Sequence, residues 1–188
     1  MTDNIRYTCS CCGQIHDEWP ALAFKSPLAY DVLSEADKKN MAEIDSDFCI
    51  VRHPEQTDQF IRATLTQKVI DHCQDLHYGL WVSLSEKSFE DYAENYYENK
   101  ERTETTYFGW LSNDIPEYEF ITSIPTTVYT KEWDLRPEIV PHRNHDHPFV
   151  HDYYNGITKE EAERRINAML NIIEKRDRPV LRPWWKFW

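Results

Sequence analysis

The strongest chemical signal in this sequence is Cys9-Ser10-Cys11-Cys12-Gly13, with His16 three residues on. Two thiols spaced as Cys-x-x-Cys before a glycine form the tight turn that grips zinc in small knuckles and ribbons. Zinc takes four ligands in a tetrahedron, and such a turn supplies two. A second Cys-x-x-Cys would complete a ribbon, but the chain has none. The other ligands must come from His16, Cys49, Cys73 or a more distant histidine. Two competing readings stand beside zinc. One is ordinary reduced thiols, with Cys49 packed in a strand like a small hydrophobe. The other is redox chemistry, which wants the Cys-x-x-Cys pair at a helix N-terminus after a strand. The polar run from Gly13 to Trp19 does not open a helix.

A second cluster is His142, His145, His147 and His151. His147 and His151 are four apart and could share a helix face, as metal-binding pairs do. The Glu of a zinc-hydrolase His-Glu-x-x-His motif is missing. The plainer expectation is that Asp146 or His147 caps a helix with Pro148 in its first turn. A Cys49 nucleophile with a His147 base can be drawn, yet nothing in the sequence brings the two together. Only four glycines occur, Gly13, Gly79, Gly109 and Gly156, so no phosphate loop, dinucleotide fingerprint or Gly-x-Ser-x-Gly elbow can be built.

Composition narrows the class. The 188 residues include seven Trp, eleven Tyr and eight Phe, which bury large areas each and supply a sizeable core. The formal charge of −12 disfavours nucleic acid and suits a basic protein partner. No signal-peptide pattern and no membrane-length apolar run is present, and five cysteines is an odd number. A reducing cytoplasmic setting is therefore expected, with free thiols and a metal site in preference to a disulfide framework.

These residues must be held by a mixed set of elements. Residues 5–9 read as a strand leading into the knuckle. Ser34 caps a helix to about residue 43, Ser85 caps one with apolar residues Phe89, Tyr92, Ala93, Tyr96 and Tyr97, and Thr158 with Glu161 opens a third. That third helix aligns Ala162, Ile166, Met169, Leu170 and Ile173. Strands are expected at 47–51, 60–70, 76–84, 105–111 and 125–133. Leu76, Tyr78, Leu80, Val82 and Leu84 alternate with Gly79, Trp81 and Ser83, so both faces of that strand are partly buried. Trp81 and Trp110 are both expected in the core. The acidic stretch 86–104 reads as the solvated side of the second helix. The fold class expected is α+β, a mainly antiparallel sheet with about three helices and an N-terminal Cys-x-x-Cys knuckle. Residues 1–175 form one domain and 176–188 a basic, Trp-rich tail, Arg182-Pro183-Trp184-Trp185-Lys186-Phe187-Trp188. The tail is expected to dock on the acidic body or on a second copy; membrane contact is the less favoured choice.

Several segments together resemble the uncharacterised bacterial domain-of-unknown-function family 2199. They are Cys9-x-x-Cys12-Gly13-x-x-His16, Ser46-Asp47-x-Cys49, Gly79-x-Trp81-Val82-Ser83-Leu84-Ser85-Glu86 with Phe89, and Tyr107-Phe108-Gly109-Trp110-Leu111. Arg136-Pro137, His147-Pro148 and Gly156-Ile157-Thr158 complete the set, and the resemblance spans roughly residues 7 to 170. The chain departs from the pattern at Ala63, after Arg62, and at Lys68. The resemblance implies a bacterial cytosolic protein and groups Cys9, Cys12, His16 and Cys49 as metal ligands, with zinc in a structural role. The function expected is non-catalytic binding of a protein partner. Two alternatives are an immunity-type protein that neutralises a basic toxin and a metal-dependent enzyme. A homo-oligomer is also open.

Overall fold

Period-two alternation in two long stretches builds the frame. In a computed structural model, which describes residues 7–8, 15–16, 18–72, 74–97, 104–116, 118, 124–131 and 135–177, strands β6 (Thr57–Gln67) and β7 (Leu76–Leu84) form an antiparallel hairpin. Its register runs from Gln59 opposite Leu84 to Gln67 opposite Leu76. The other strands are β1 (Tyr7–Thr8), β2 (Ile15–His16), β3 (Leu22–Ala23), β4 (Ala42–Ile44), β5 (Phe48–Arg52), β8 (Thr106–Leu111), β9 (Pro125–Tyr129) and β10 (Glu138–Pro141). The helices are α1 (Leu28–Asp31), α2 (Glu35–Met41), α3 (Glu86–Tyr97), α4 (Pro148–Asn155) and α5 (Lys159–Asp177).

Each long strand divides its second edge between two partners. β6 pairs with β5 through residues 57–61 and with β10 at Thr64. β7 pairs with β3 at Tyr78 and Gly79 and with β8 at residues 82–84. The inner halves therefore close a five-stranded barrel, β7-β8-β9-β10-β6 and back to β7, while β3 and the β5–β4 pair extend it on the outside. The closing step is parallel and short. Glu138 lies opposite Thr64, whose N–H and hydroxyl both donate to the Pro137 carbonyl, at 2.8 and 3.2 Å.

The barrel interior takes the inward residues of its strands, among them Ile61, Leu65, Leu80, Val82, Leu111, Val128 and Ile139. Phe149 and Val150 of α4, Ala162 and Ile166 of α5 and Phe89 and Tyr92 of α3 join the same core. A second, smaller core lies on the outer face of β5–β6–β7. Cys49, Val51, Phe60 and Trp81 are buried there under Phe24, Ala29, Tyr30, Leu33, Ala42 and Ile44. Asn113 fastens this cover. Its Oδ1 accepts from the Trp81 N–H at 2.5 Å and its Nδ2 donates to the Ser26 carbonyl at 2.9 Å.

A buried ion cluster ties α4 and α5 together. Arg165, only 3% exposed, donates from Nη2 to Asp152 and from Nε to Glu161, both at 2.7 Å, and lies over the Tyr118 ring. Tyr118 donates to the same Asp152 carboxylate. A guanidinium can be buried this deeply because two carboxylates and a ring replace its water.

The α+β class with a mainly antiparallel sheet holds, with parallel contacts at β3–β7 and β6–β10. Three features correct the expectation. The sheet closes into a barrel, and the described residues form five helices where about three were expected. The four-residue α1 carries no apolar period that a sequence could show. The third is Trp110, which is 45% exposed on the outside of β8 and is not a core residue; Trp81 is fully buried as expected. The helix caps form as read: the Ser34, Ser85 and Thr158 hydroxyls accept from the Asp37, Ser88 and Glu161 N–H groups. His147, not Asp146, caps α4, its Nδ1 accepting from Phe149 N–H with Pro148 in the first turn. The Cys-x-x-Cys knuckle and tail residues 178–188 lie outside the described residues.

Candidate functional site

The metal-ligand candidates occupy two places. Cys9 and Cys12 lie outside the described residues, in the connection between β1 and β2. Those two strands pair antiparallel, with His16 opposite Tyr7 and Ile15 opposite Thr8. In the sequence the Cys-x-x-Cys-Gly segment lies between these two paired strands. Cys49 sits in β5, fully buried in the apolar cluster with Val51, Phe60 and Trp81. Burial, with added negative charge from Asp31 and Asp45, pushes its thiol up to about 12. A thiol so placed is held neutral and unreactive. Among the described residues no group of three or more His, Cys, Asp or Glu side chains could hold a metal ion.

The four histidines go to separate tasks. His147 is the α4 cap, and His145 stacks beside it at 6.2 Å between ring centres. His151 meets Asp146 at 3.1 Å. His142 hydrogen bonds through Nε2 to the Thr127 hydroxyl at 3.0 Å. Its ring also packs against Phe108, 5.6 Å away.

That last contact belongs to a group of exposed rings among the described residues. On the outer wall of β8 and β9, Phe108 is 50% and Tyr129 46% exposed, alongside Trp110. Inward Tyr107, Gly109 and Leu111 alternate with outward Phe108 and Trp110, so the pleat itself puts two large rings on one side. Phe108 and Trp110 meet edge to face, 5.1 Å between centres at 88°. Register sets Phe108 opposite Thr127, Trp110 opposite Pro125 and Tyr129 opposite Thr106. Small and flat neighbours leave the rings standing clear. Geometrically this is a contact face: rigid rings, one imidazole, and hydroxyls for hydrogen bonding.

The motif segments that shape this wall and the covered core behind it match a family model described as "Uncharacterized protein conserved in bacteria (DUF2199)" over residues 8–157. The chain belongs to this family. No curated protein and no solved structure matches it. The matched span holds every barrel strand and α4, whereas α5 falls beyond it. Within the family span the fold also gathers charged residues that the sequence reading did not single out as a site: Asp47, Arg62 and Arg136. They come from three separate stretches, and no spacing rule links them. Among the described residues no helix is long and apolar enough to cross a membrane.

Proposed function

We propose that this protein is a non-catalytic binding protein whose contact face is the outer barrel wall at Phe108, Trp110, Tyr129 and His142. The observation that carries the reading is that three large rings on adjacent strands stand about half exposed. Exposed apolar patches of this kind cost solubility unless a partner covers them. The net charge of −12 favours a basic partner, because opposite charge accelerates encounter. The same charge supports the neutralising-partner reading, in which the basic protein is a toxin. The test compares Phe108→Ser/Trp110→Ser with the parent in affinity capture. A partner held by the parent and lost by the variant, at unchanged melting temperature, supports the reading. Equal capture by both removes the wall from consideration.

A structural zinc at the Cys9–Cys12 turn fits this function, since a metal can fix a short hairpin too small to hold itself. The β1–β2 pairing supports it, and His16 is the next ligand. Cys49 ranks last, because it would have to ionise and leave its apolar cluster. Elemental analysis of reduced, tag-free protein is expected to find close to one zinc, lost in Cys9→Ser and kept in Cys73→Ser. Metal-free parent protein would end the idea.

A further inference from the structure

Arg62 and Arg136 stand on one side of the barrel with a single carboxylate between them. Arg62 projects outward from β6, its guanidinium 5.9 Å from the centre of the Trp81 ring. Arg136 precedes β10 and is held there because Pro137 accepts from Thr64. Both guanidiniums reach the Ser46 carbonyl oxygen, Arg62 from Nη1 at 3.4 Å and Arg136 from Nη2 at 3.5 Å. Of the two arginines it is Arg136 that pairs with Asp47, whose Oδ1 accepts from Nε at 2.6 Å; Tyr96 also hydrogen bonds to this carboxylate. The Ser46 hydroxyl donates to the other carboxylate oxygen. Nearby Glu138 is occupied by Lys131 at 2.9 Å.

Arg62 is therefore left without a carboxylate among the described residues. A guanidinium carries five N–H donors. Arg62 directs one of them at a carbonyl over a long 3.4 Å, and its Nε is buried with no partner. Burial and the neighbouring Arg136 charge both act against its protonated form, and only Asp47 favours it. Two forks with one carboxylate make a local positive centre on an otherwise acidic protein. Such a centre is completed by a second anion with two or more acceptor oxygens, which a planar fork binds through parallel hydrogen bonds.

We propose that Arg62 and Arg136 form a binding site for a small oxyanion, a phosphate or carboxylate group that closes on Arg62 and shares Arg136 with Asp47. This site does not depend on the aromatic wall. The ligand adds the negative charge that the three side chains lack, and the Trp81 ring beneath Arg62 keeps the guanidinium plane fixed for it. The Asp47 carboxylate sets selectivity, because it repels an anion that does not engage Arg62 directly.

Isothermal titration calorimetry of the full chain tests this, with inorganic phosphate in one arm and acetate in the other, at constant ionic strength. Saturable binding of either by the parent is expected; the tighter arm identifies a phosphate-bearing or carboxylate-bearing ligand. Arg62→Gln should weaken it about tenfold or more, the loss of one charge-assisted hydrogen bond. Arg62→Lys keeps the charge without the fork and should fall between the two. The melting temperature of Arg62→Gln without anion should equal or exceed that of the parent, since a half-buried cation with no carboxylate partner among the described residues has been removed. No saturable heat from either anion in the parent overturns the proposal whatever the variants do. Unchanged affinity in Arg62→Gln also overturns it.

Discussion

Trp81 and Trp110 occupy equivalent outward positions on neighbouring strands of one barrel, yet one is fully buried and the other nearly half exposed. Strand alternation treats them alike. What separates them is the chain that arrives afterwards. Over β7 the segment carrying β3, α1, α2 and β4 folds down, and Trp81 Nε1 donates to the Phe24 carbonyl at 3.1 Å. Over β8 and β9 no described segment does the same, and Phe108, Trp110 and Tyr129 face outward. The covered wall is a second core; over the open wall the described residues place no such cover.

Breaking the covered wall gives the largest expected effect. Trp81→Ala removes the largest fully buried side chain among the described residues and strips the Phe24 carbonyl of its donor. A loss of about 3–5 kcal/mol is expected in chemical denaturation. A loss below about 1 kcal/mol would mean that the cover does not pack as described. Asn113→Ala comes next. It leaves the Trp81 N–H and the Ser26 carbonyl without their buried partners, at a cost of about 1–3 kcal/mol. Asn113→Asp separates the two bonds, since it keeps the acceptor for Trp81 and loses the donor for Ser26.

Much of this was legible in the sequence. The alternation of Leu76 to Leu84 located β7 and its two buried faces, and the capping residues Ser34, Ser85 and Thr158 marked three helix starts. Barrel closure was not legible, because it rests on a single parallel pairing of Glu138 with Thr64, set by Pro137, with no local pattern. Trp110 was misread for a physical reason. Its strand carries apolar residues at consecutive positions, and that run looks the same whether the second face meets protein or partner. Gly109 itself is explained by packing: a Cβ there would lie 2.6 Å from Val82 Cγ2 and 2.8 Å from the Ser83 carbonyl oxygen, so only glycine lets β8 approach β7 this closely. The Asp47, Arg62 and Arg136 cluster was invisible because its members are joined only by the fold.

The covered wall also has a pH signature. Cys49 is held neutral there, its thiol pushed from an ordinary value near 9.0 to about 12 by burial. A raised value means that the folded state keeps its proton after the unfolded chain has lost it. The contribution is fully present below about pH 9 and fades as the pH rises toward about 12. Cys49→Ala should therefore lose less stability than the parent over that alkaline range. Parallel curves for the two proteins would show that the thiol is not in an apolar setting. Alkylation of Cys49 in the folded protein should likewise be slow until denaturant opens the cover.

The smallest stability effect is expected on the open wall, and it sharpens the comparison most. Trp110→Ala removes the same side chain as Trp81→Ala, one strand away. Trp110 is 45% exposed, so only about half of its transfer free energy is recovered on folding. Its edge-to-face contact with Phe108 at 5.1 Å adds to that. Such a pair contributes about 0.5–1.5 kcal/mol beyond area. The single variant should thus cost about 1–2 kcal/mol, below the Trp81 value. A double-mutant cycle with Phe108→Ala should return a coupling of about 0.5–1.5 kcal/mol. Near-zero coupling would mean that the two rings do not touch in solution. A Trp110→Ala loss approaching that of Trp81→Ala would mean that this wall is covered too, by a part of the protein or by a second copy, and that the contrast between the two walls is false.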